Sequence, residues 1–307
     1  MFEKEKIAIV VGSNGQDGHL LLEELLSLNY KAVGIGKNDL DITNSGEVYD
    51  LINMLKPDEI YFLAAYHHSS EDFFENGAEL YYKSIQVNSV AVVNFLETIS
   101  NHLPTCKFFY ASSCLIFPSS EVKKHTELSE YMPMDPYSLS KVTGMMACNY
   151  YRNKFGVFAS VGILYNHESP LRKSGFVTKK ISAAVARIYK EKSGELVLGN
   201  LDAIVDWGYA PDYVKAMHAI LQLNEPEDFI IATGKEHSIR EYVEIAFGHV
   251  GLNYLDFVKV NEQSITRQSV KRIGNPRKLK QKTGWNPSIS FKDMVCKLVD
   301  WELSQTD

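Results

Sequence analysis

Two residues four positions apart, Tyr137 and Lys141 in Tyr137-Ser-Leu-Ser-Lys141, open the chemistry of this chain. On a helix that spacing places both side chains on one face. An ammonium beside a phenol favours the phenolate and lowers its pKa. Such a phenol can take a proton from an alcohol and return it. A third hydroxyl is available upstream, where an apolar run ends in Ala111-Ser112-Ser113.

A second cluster stands near the start. The apolar run Ile7–Val11 enters Gly12-Ser-Asn-Gly15-Gln-Asp-Gly18 and then a leucine-rich helical pattern. Glycines at that spacing allow a tight turn, bring backbone close to a pyrophosphate and aim a helix N-terminus at negative charge. The next strand ends at Gly34-Ile35-Gly36-Lys37. A cation there suits the 2′-phosphate of NADP, whereas an acid would suit the free ribose of NAD. Asp39 and Asp41 stand close by, so NADP is expected and NAD stays open.

These residues need a frame. Strand-like runs at Ile7–Val11, Ala32–Ile35, Ile60–Ala65, Phe108–Ala111 and Val157–Leu164 alternate with helical patterns at Leu20–Leu28, Val48–Leu55, Ser84–Ile99 and Tyr137–Phe155. That alternation predicts an α/β fold, a doubly wound parallel Rossmann sheet. After Asn166 the pattern loosens. Helices at Val177–Lys190 and Asp212–Leu223, separated by a turn-rich 194–208, predict a smaller interwoven α/β lobe. The expected division is a dinucleotide-binding domain over 1–165, joined by a returning segment near 203–232. The lobe for substrate then takes 166–202 and 233–307.

The 307 residues are 45% hydrophobic and 23% charged, with a net charge of -6 and no basic run beyond lysine pairs. That argues against nucleic-acid binding. None of the four cysteines forms a metal spacing, so no metal is expected. Free thiols, no leader and no apolar segment of spanning length predict a cytoplasmic protein without membrane contact.

The glycine turn, the Ser113 strand end and the Tyr137/Lys141 pair together resemble the short-chain dehydrogenase/reductase family. The resemblance implies that Ser113 hydrogen-bonds the reacting oxygen, Tyr137 is the acid/base and Lys141 holds the nicotinamide ribose. It narrows at Gly162-Ile-Leu-Tyr-Asn-His-Glu-Ser-Pro170-Leu-Arg172, Phe176-Val-Thr-Lys-Lys180-Ile181, Leu198-Gly-Asn-Leu-Asp-Ala203, Asp206-Trp-Gly-Tyr-Ala210 and Gly284-Trp-Asn-Pro287. These are similar to the substrate lobe of the GDP-mannose 4,6-dehydratases.

That likeness implies a GDP-hexose or related nucleotide sugar as substrate and a role in polysaccharide or deoxy-sugar synthesis. It implies cofactor contacts from Gly12, Asn14, Gly15, Gln16, Asp17 and Gly18 on the turn, and from Lys37, Asp41 and Ile42 after the second strand. Leu63, Ala64, Ala65 and Asn88 follow, then Tyr137, Lys141, Leu164, His167 and Arg172. For the substrate it implies His68, Ser113, Asn166, Val177, Lys180, Leu198, Asn200 and Arg267. A homodimer through the helices Ser84–Ile99 and Tyr137–Phe155 is expected.

The chain also departs from the pattern. The dehydratases read Ser-Thr-Ser-Glu-Leu-Tyr-Gly where this chain reads Ser112-Ser113-Cys114-Leu115-Ile116-Phe117-Pro118. The resemblance assigns that glutamate to proton transfer during loss of water, and Leu115 cannot exchange a proton. Cys114, Glu121 and His125 are the nearby candidates to replace it, and none of them is expected to do so. Val205 stands where the family has an arginine for the substrate diphosphate, and the loop after Lys37 is shorter. Three readings follow: hydride transfer at C4 (4-dehydrogenase, 4-keto reductase or 4-epimerase), a true 4,6-dehydratase with an altered proton relay, and a nucleotide-binding partner protein without catalysis.

Overall fold

The computed structural model describes residues 5–67, 77–120, 123–261 and 271–305. Six parallel strands build the central sheet: β1 (Ile7–Val11), β2 (Lys31–Ile35), β3 (Glu59–Phe62), β4 (Lys107–Ser113), β5 (Ala159–Leu164) and, much later in the chain, β10 (Asp228–Ile231). Their order is β10-β5-β4-β3-β1-β2. The chain winds outward in both directions from β1, and the crevice beyond the C-terminal ends of β1 and β3 is the switch point where such sheets take ligands.

Strand side chains alternate between two faces. Ile9, Val11, Ile60, Phe62, Phe108 and Tyr110 enter one core with α2 (Ser45–Leu55), α4 (Ala91–His102) and α5 (Pro136–Phe155). Ala8, Val10, Tyr61 and Phe109 enter the other with α1 (Gln16–Ser27) and α7 (Ala210–Leu221). Leu279 of α9 (Arg277–Thr283) and Trp285 join this second core, where the Trp285 indole donates to the Asp212 carbonyl at 2.8 Å.

A third core gathers α6 (Val177–Glu191), α8 (Ile239–His249) and α10 (Phe291–Ser304). Three two-stranded ladders edge it. β6 (Asn166–Glu168) pairs with β9 (Trp207–Tyr209), β7 (Leu196–Leu198) with β12 (Val258–Val260), and β8 (Ile204–Val205) with β11 (His237–Ser238). The stretch expected to be turn-rich at 194–208 therefore carries short strands, too brief to show a period.

The helix expected over Ser84–Ile99 is part of one unbroken helical run, widened by a single turn near its start. A helix α3 (Gly77–Ile85) runs into a wide turn at Gln86–Val90 before α4 begins. Its cause is polar: Tyr110 donates its hydroxyl to the Asn88 carbonyl at 2.7 Å, and the Ser89 hydroxyl donates to the Ser140 carbonyl at 2.8 Å. Side chains inserted into the helical ladder in this way widen one turn, often at functional sites.

Two glycines of the first turn are required by space. Gly12 has φ +93°, and a Cβ there would lie 2.6 Å from the Ala64 nitrogen. A Cβ on Gly18 would overlap the Gly12 carbonyl oxygen and lie 2.7 Å from Ser13 Cα. Alanine at 18 gains about 1 kcal/mol of helix propensity. Overpacking against backbone outweighs that, so Gly18→Ala is expected to cost about 2–4 kcal/mol net. A urea titration checks it, and an unchanged midpoint would contradict the packing argument.

Candidate active site

The reacting side chains meet where β4 ends and α5 begins. Asp135 caps α5: its carboxylate accepts from the Ser138 nitrogen at 2.7 Å, the Ser138 hydroxyl is bound in return at the Asp135 backbone, and Pro136 opens the first turn. One turn on, Lys141 Nζ donates to the Ala111 carbonyl at 2.8 Å and ties the helix to the strand. Tyr137 is thereby held beside Ser113, whose Oγ also accepts from the Leu115 nitrogen at 3.3 Å.

The electrostatics depart from simple expectation in one respect. Burial pushes the Lys141 ammonium down to about 7. Burial likewise raises the Tyr137 phenol, and the Ser113 hydrogen bond and Arg172 only partly oppose it. Desolvation dominates, and the lowering expected from Lys141 is not among the principal effects. Lys141 Nζ lies 5.7 Å from the Tyr137 ring centroid and 4.9 Å from that of Tyr110.

The glycine turn has the features that an anionic dinucleotide needs. Gly15 begins α1 without a side-chain cap among the described residues, so the first backbone N–H groups of the helix remain for a ligand. Asn14 packs against Gly36 at the end of β2, and Lys37 follows with its side chain exposed. Asp39 accepts from the Gly36 nitrogen at 2.7 Å, and Asp41 from the Thr43 nitrogen and hydroxyl at 2.9 and 2.7 Å. Ile42 gives its carbonyl to Asn94 Nδ2 at 3.1 Å. Leu63 continues from β3 with its nitrogen on the Val11 carbonyl at 2.8 Å, and Ala64 faces Gly12; Ala65 is next and exposed. Leu164 ends β5. Lys141, a three-donor group with one carbonyl acceptor among the described residues, is suited to a ribose. The residues present thus fit a nicotinamide dinucleotide.

Several side chains read from sequence as cofactor contacts bind each other. Asp17 Oδ2 lies 2.9 Å from His167 Nε2, Gln16 Nε2 donates to the His167 carbonyl at 3.2 Å, and Ser169 donates to Gln16 Oε1 at 2.9 Å. His167 stacks on Tyr213 with centroids 4.5 Å apart. Arg172 pairs with Glu168 at 3.2 Å and lies over Phe176 at 3.6 Å. Asn88, wholly buried, accepts from the Tyr66 nitrogen at 2.9 Å and donates to the Tyr66 carbonyl at 3.3 Å and to Ser140 Oγ at 2.9 Å. It clamps the loop after β3 to the helix that carries Tyr137.

On the substrate side, Asn166 is exposed on β6, Val177 is half-buried at the start of α6 and Lys180 is exposed one turn later. Leu198 is buried at the end of β7. Asn200 is exposed, and its Oδ1 accepts from the Asp202 nitrogen at 2.8 Å. His68, Glu121 and Arg267 lie outside the described residues. Val205 pairs with His237 in the β8–β11 ladder. Leu115 sits half-buried in the single 3₁₀ turn Cys114–Ile116. Burial pushes the Cys114 thiol up to about 12, so it holds no thiolate at neutral pH. His125 stacks on Phe117 and its Nδ1 lies 3.1 Å from the Tyr165 hydroxyl.

One residue escaped the sequence reading. His67, not among the site residues expected from the sequence, meets the Tyr137 ring edge-on with centroids 4.6 Å apart. No spacing rule marks it, because its partner is 70 positions away in the chain.

The sequence profile of the GDP-mannose 4,6 dehydratases matches residues 38–298. The chain belongs to that family. GDP-mannose 4,6 dehydratase 2 of Arabidopsis thaliana is 33% identical, over 98% of this chain and 88% of its own. Among solved structures, RMD from Pseudomonas aeruginosa complexed with NADPH superposes with a TM-score of 0.85 at 21% identity, covering 98% of each chain. The NAD complex of dTDP-glucose 4,6-dehydratase from Bacillus anthracis gives 0.80 at 18%, covering 96% of each. These two share the fold with the family member described here.

The Asp17–His167 pair makes stability depend on pH. Burial opposes both charges, but mutual attraction wins and holds the Asp17 carboxyl below, and the His167 imidazole above, their ordinary values of 3.8 and 6.5. The aspartate's contribution is complete above 3.8 and lost as pH falls through its depressed value. The histidine's is complete below 6.5 and lost as pH rises through its raised value. Asp17→Asn is therefore expected to destabilise most between about pH 4 and 6, by roughly 1–3 kcal/mol, and less at pH 9. Denaturant titrations at pH 5 and 9 read the difference; equal losses at both would exclude the ionic contribution.

Proposed function

We propose that this protein moves hydride to or from C4 of a GDP-hexose or closely related nucleotide sugar and does not eliminate water efficiently. The observation that carries the reading is Leu115, which stands at the strand end beside an intact Ser113, Tyr137 and Lys141. Tyr137 takes the proton of the C4 hydroxyl on oxidation and returns it on reduction, and Ser113 hydrogen-bonds the same oxygen. Lys141 holds the ribose of the cofactor and supplies positive charge near the phenol. A nicotinamide dinucleotide supplies the hydride acceptor or donor. Exposed Lys37 and the NADPH in the Pseudomonas structure favour NADP over NAD.

The remaining assignments follow the family. The glycine turn and the strand ends face the cofactor in 1–165, which the segment near 203–232 rejoins, and Asp17, Asn88, His167 and Arg172 brace the walls through neighbouring residues. Asn166, Lys180, Asn200 and Arg267 hold the nucleotide and its phosphates, with Val177, Leu198 and His68 beside them, in 166–202 and 233–307. A homodimer through α4 and α5 is supported by Val93, Leu139, Met146, Tyr150 and Phe155, apolar side chains left exposed on those helices. A cytoplasmic setting agrees with four free cysteines and with the lack, among the described residues, of a helix long and apolar enough to cross a membrane. Water elimination is the second reading, favoured by the full-length match to a GDP-mannose 4,6 dehydratase.

Product mass separates the two. With GDP-mannose and NADP⁺, or GDP-4-keto-6-deoxymannose and NADPH, the sugar is expected to lose or gain two hydrogens, or to keep its mass with inverted C4 stereochemistry. Loss of one water at a comparable rate would overturn the hydride reading. Tyr137→Phe is expected to slow hydride transfer about 10²–10⁴-fold while still binding cofactor, as followed by NADPH absorbance and calorimetry; full activity would refute the acid/base role.

Restoring the carboxylate supplies a gain-of-function check. Leu115→Glu is expected to raise the rate of water loss from GDP-mannose by about 10²-fold or more, measured as the dehydrated product by mass spectrometry. An unchanged rate would mean that Leu115 is not what limits elimination.

A further inference from the structure

His67 is exposed beside Tyr137, and the hydride chemistry leaves it unused. Its ring also stacks on Phe176, with centroids 5.9 Å apart and planes 19° from parallel. Phe176 is fixed in turn by the Arg172 guanidinium, which pairs with the buried Glu168. The backbone just before His67 is the segment clamped by Asn88, which reaches across to Ser140 Oγ. Ser140 donates that hydroxyl to the Tyr137 carbonyl at 2.7 Å. One buried amide therefore sets His67 relative to Tyr137, an arrangement that a solvated surface histidine does not need.

We propose that His67 is a second acid/base group of this active site and exchanges the proton on a ring carbon next to C4 while C4 is a ketone. The inference rests on the C4 chemistry proposed above, because the ketone is what acidifies the neighbouring C–H. A hexose whose C4 oxygen meets Tyr137 brings an adjacent ring carbon towards the imidazole. Leu115 leaves the strand-end side of the sugar without a proton carrier, and His67 supplies one from the loop after β3.

The step balances without an added reactant. The C–H electron pair becomes the C=C bond of an enol, the carbonyl π pair moves to O4, and Tyr137 supplies the proton there. The proton from carbon goes to the unprotonated imidazole nitrogen. Reversal returns a proton from the imidazolium to carbon. Because the imidazole is exposed, it trades that proton with water between the two events, and an imidazole does so readily near neutral pH.

The test needs no cofactor. GDP-4-keto-6-deoxymannose is incubated with the protein in D₂O, and the C3 and C5 hydrogens are followed by proton NMR. Deuterium is expected to enter at one of them. His67→Asn is expected to slow that entry about 10²-fold or more, with folding checked by its melting temperature, and Phe176→Ala is expected to slow it by less. No exchange by the wild-type protein, or equal exchange by a folded His67→Asn, would overturn the role of His67. A wild-type protein that oxidises NADPH with this ketone but exchanges nothing refutes only this inference. One that exchanges hydrogen but never uses NADPH refutes the hydride reading and keeps His67.

Discussion

The Lys141 ammonium sits inside the protein against the Ala111 carbonyl, and the arrangement around it depends on keeping it there. An ammonium taken out of water loses much of its preference for the charged form, which is why its pKa falls to about 7. Any group that returns hydrogen-bond acceptors to it, such as a ribose, raises its charge again. The Tyr137 phenol is raised by the same burial.

Two polar joints fix the elements around the site. Asn88 holds the loop after β3 and helix α5 together, and Asp17 with His167 ties the first helix to β6. Both joints use polar side chains in buried or partly buried positions, where an unmade hydrogen bond costs about 1–3 kcal/mol. They over-determine the site geometry, and the wide turn at Gln86–Val90 is the local distortion that accompanies the first of them.

The same joints mark how far the sequence could be read. The parallel sheet was legible, because buried strands appear as apolar runs and the helices between them have a clear period. The reacting trio was legible because Tyr137 and Lys141 lie on one helix turn and Ser113 ends a strand. Gln16, Asp17, His167 and Asn88 were read as facing a ligand, since a polar residue in a glycine turn or at a strand end looks the same whether it binds a cofactor or a neighbour. The wide turn before α4 was hidden because Asn88 and Ser89 look like an ordinary polar face. The short ladders of the third core, such as β8 and β11 with two residues each, carry no period at all. His67 needed coordinates, because only the fold brings residue 67 to residue 137.

Leu115 shows how little sequence separates two chemistries on one frame. Removing water from a sugar needs a C4 ketone to acidify the neighbouring hydrogen and then a base and an acid to move protons around the adjacent carbons. In the proposed reaction the trio on β4 and α5 supports the ketone, and those three residues are present. The resemblance assigns the second half to one carboxylate at the strand end, and there the chain has a leucine, whose hydrocarbon side chain cannot exchange a proton. Cys114 next to it is no replacement, because burial keeps its thiol protonated. A family match over nearly the whole chain therefore describes the scaffold and the means of holding a nucleotide sugar. On the proposed chemistry, the outcome is decided by which proton carriers stand around the ring once C4 is oxidised, and the imidazole seen beside Tyr137 among the described residues comes from the loop after β3 and not from the strand.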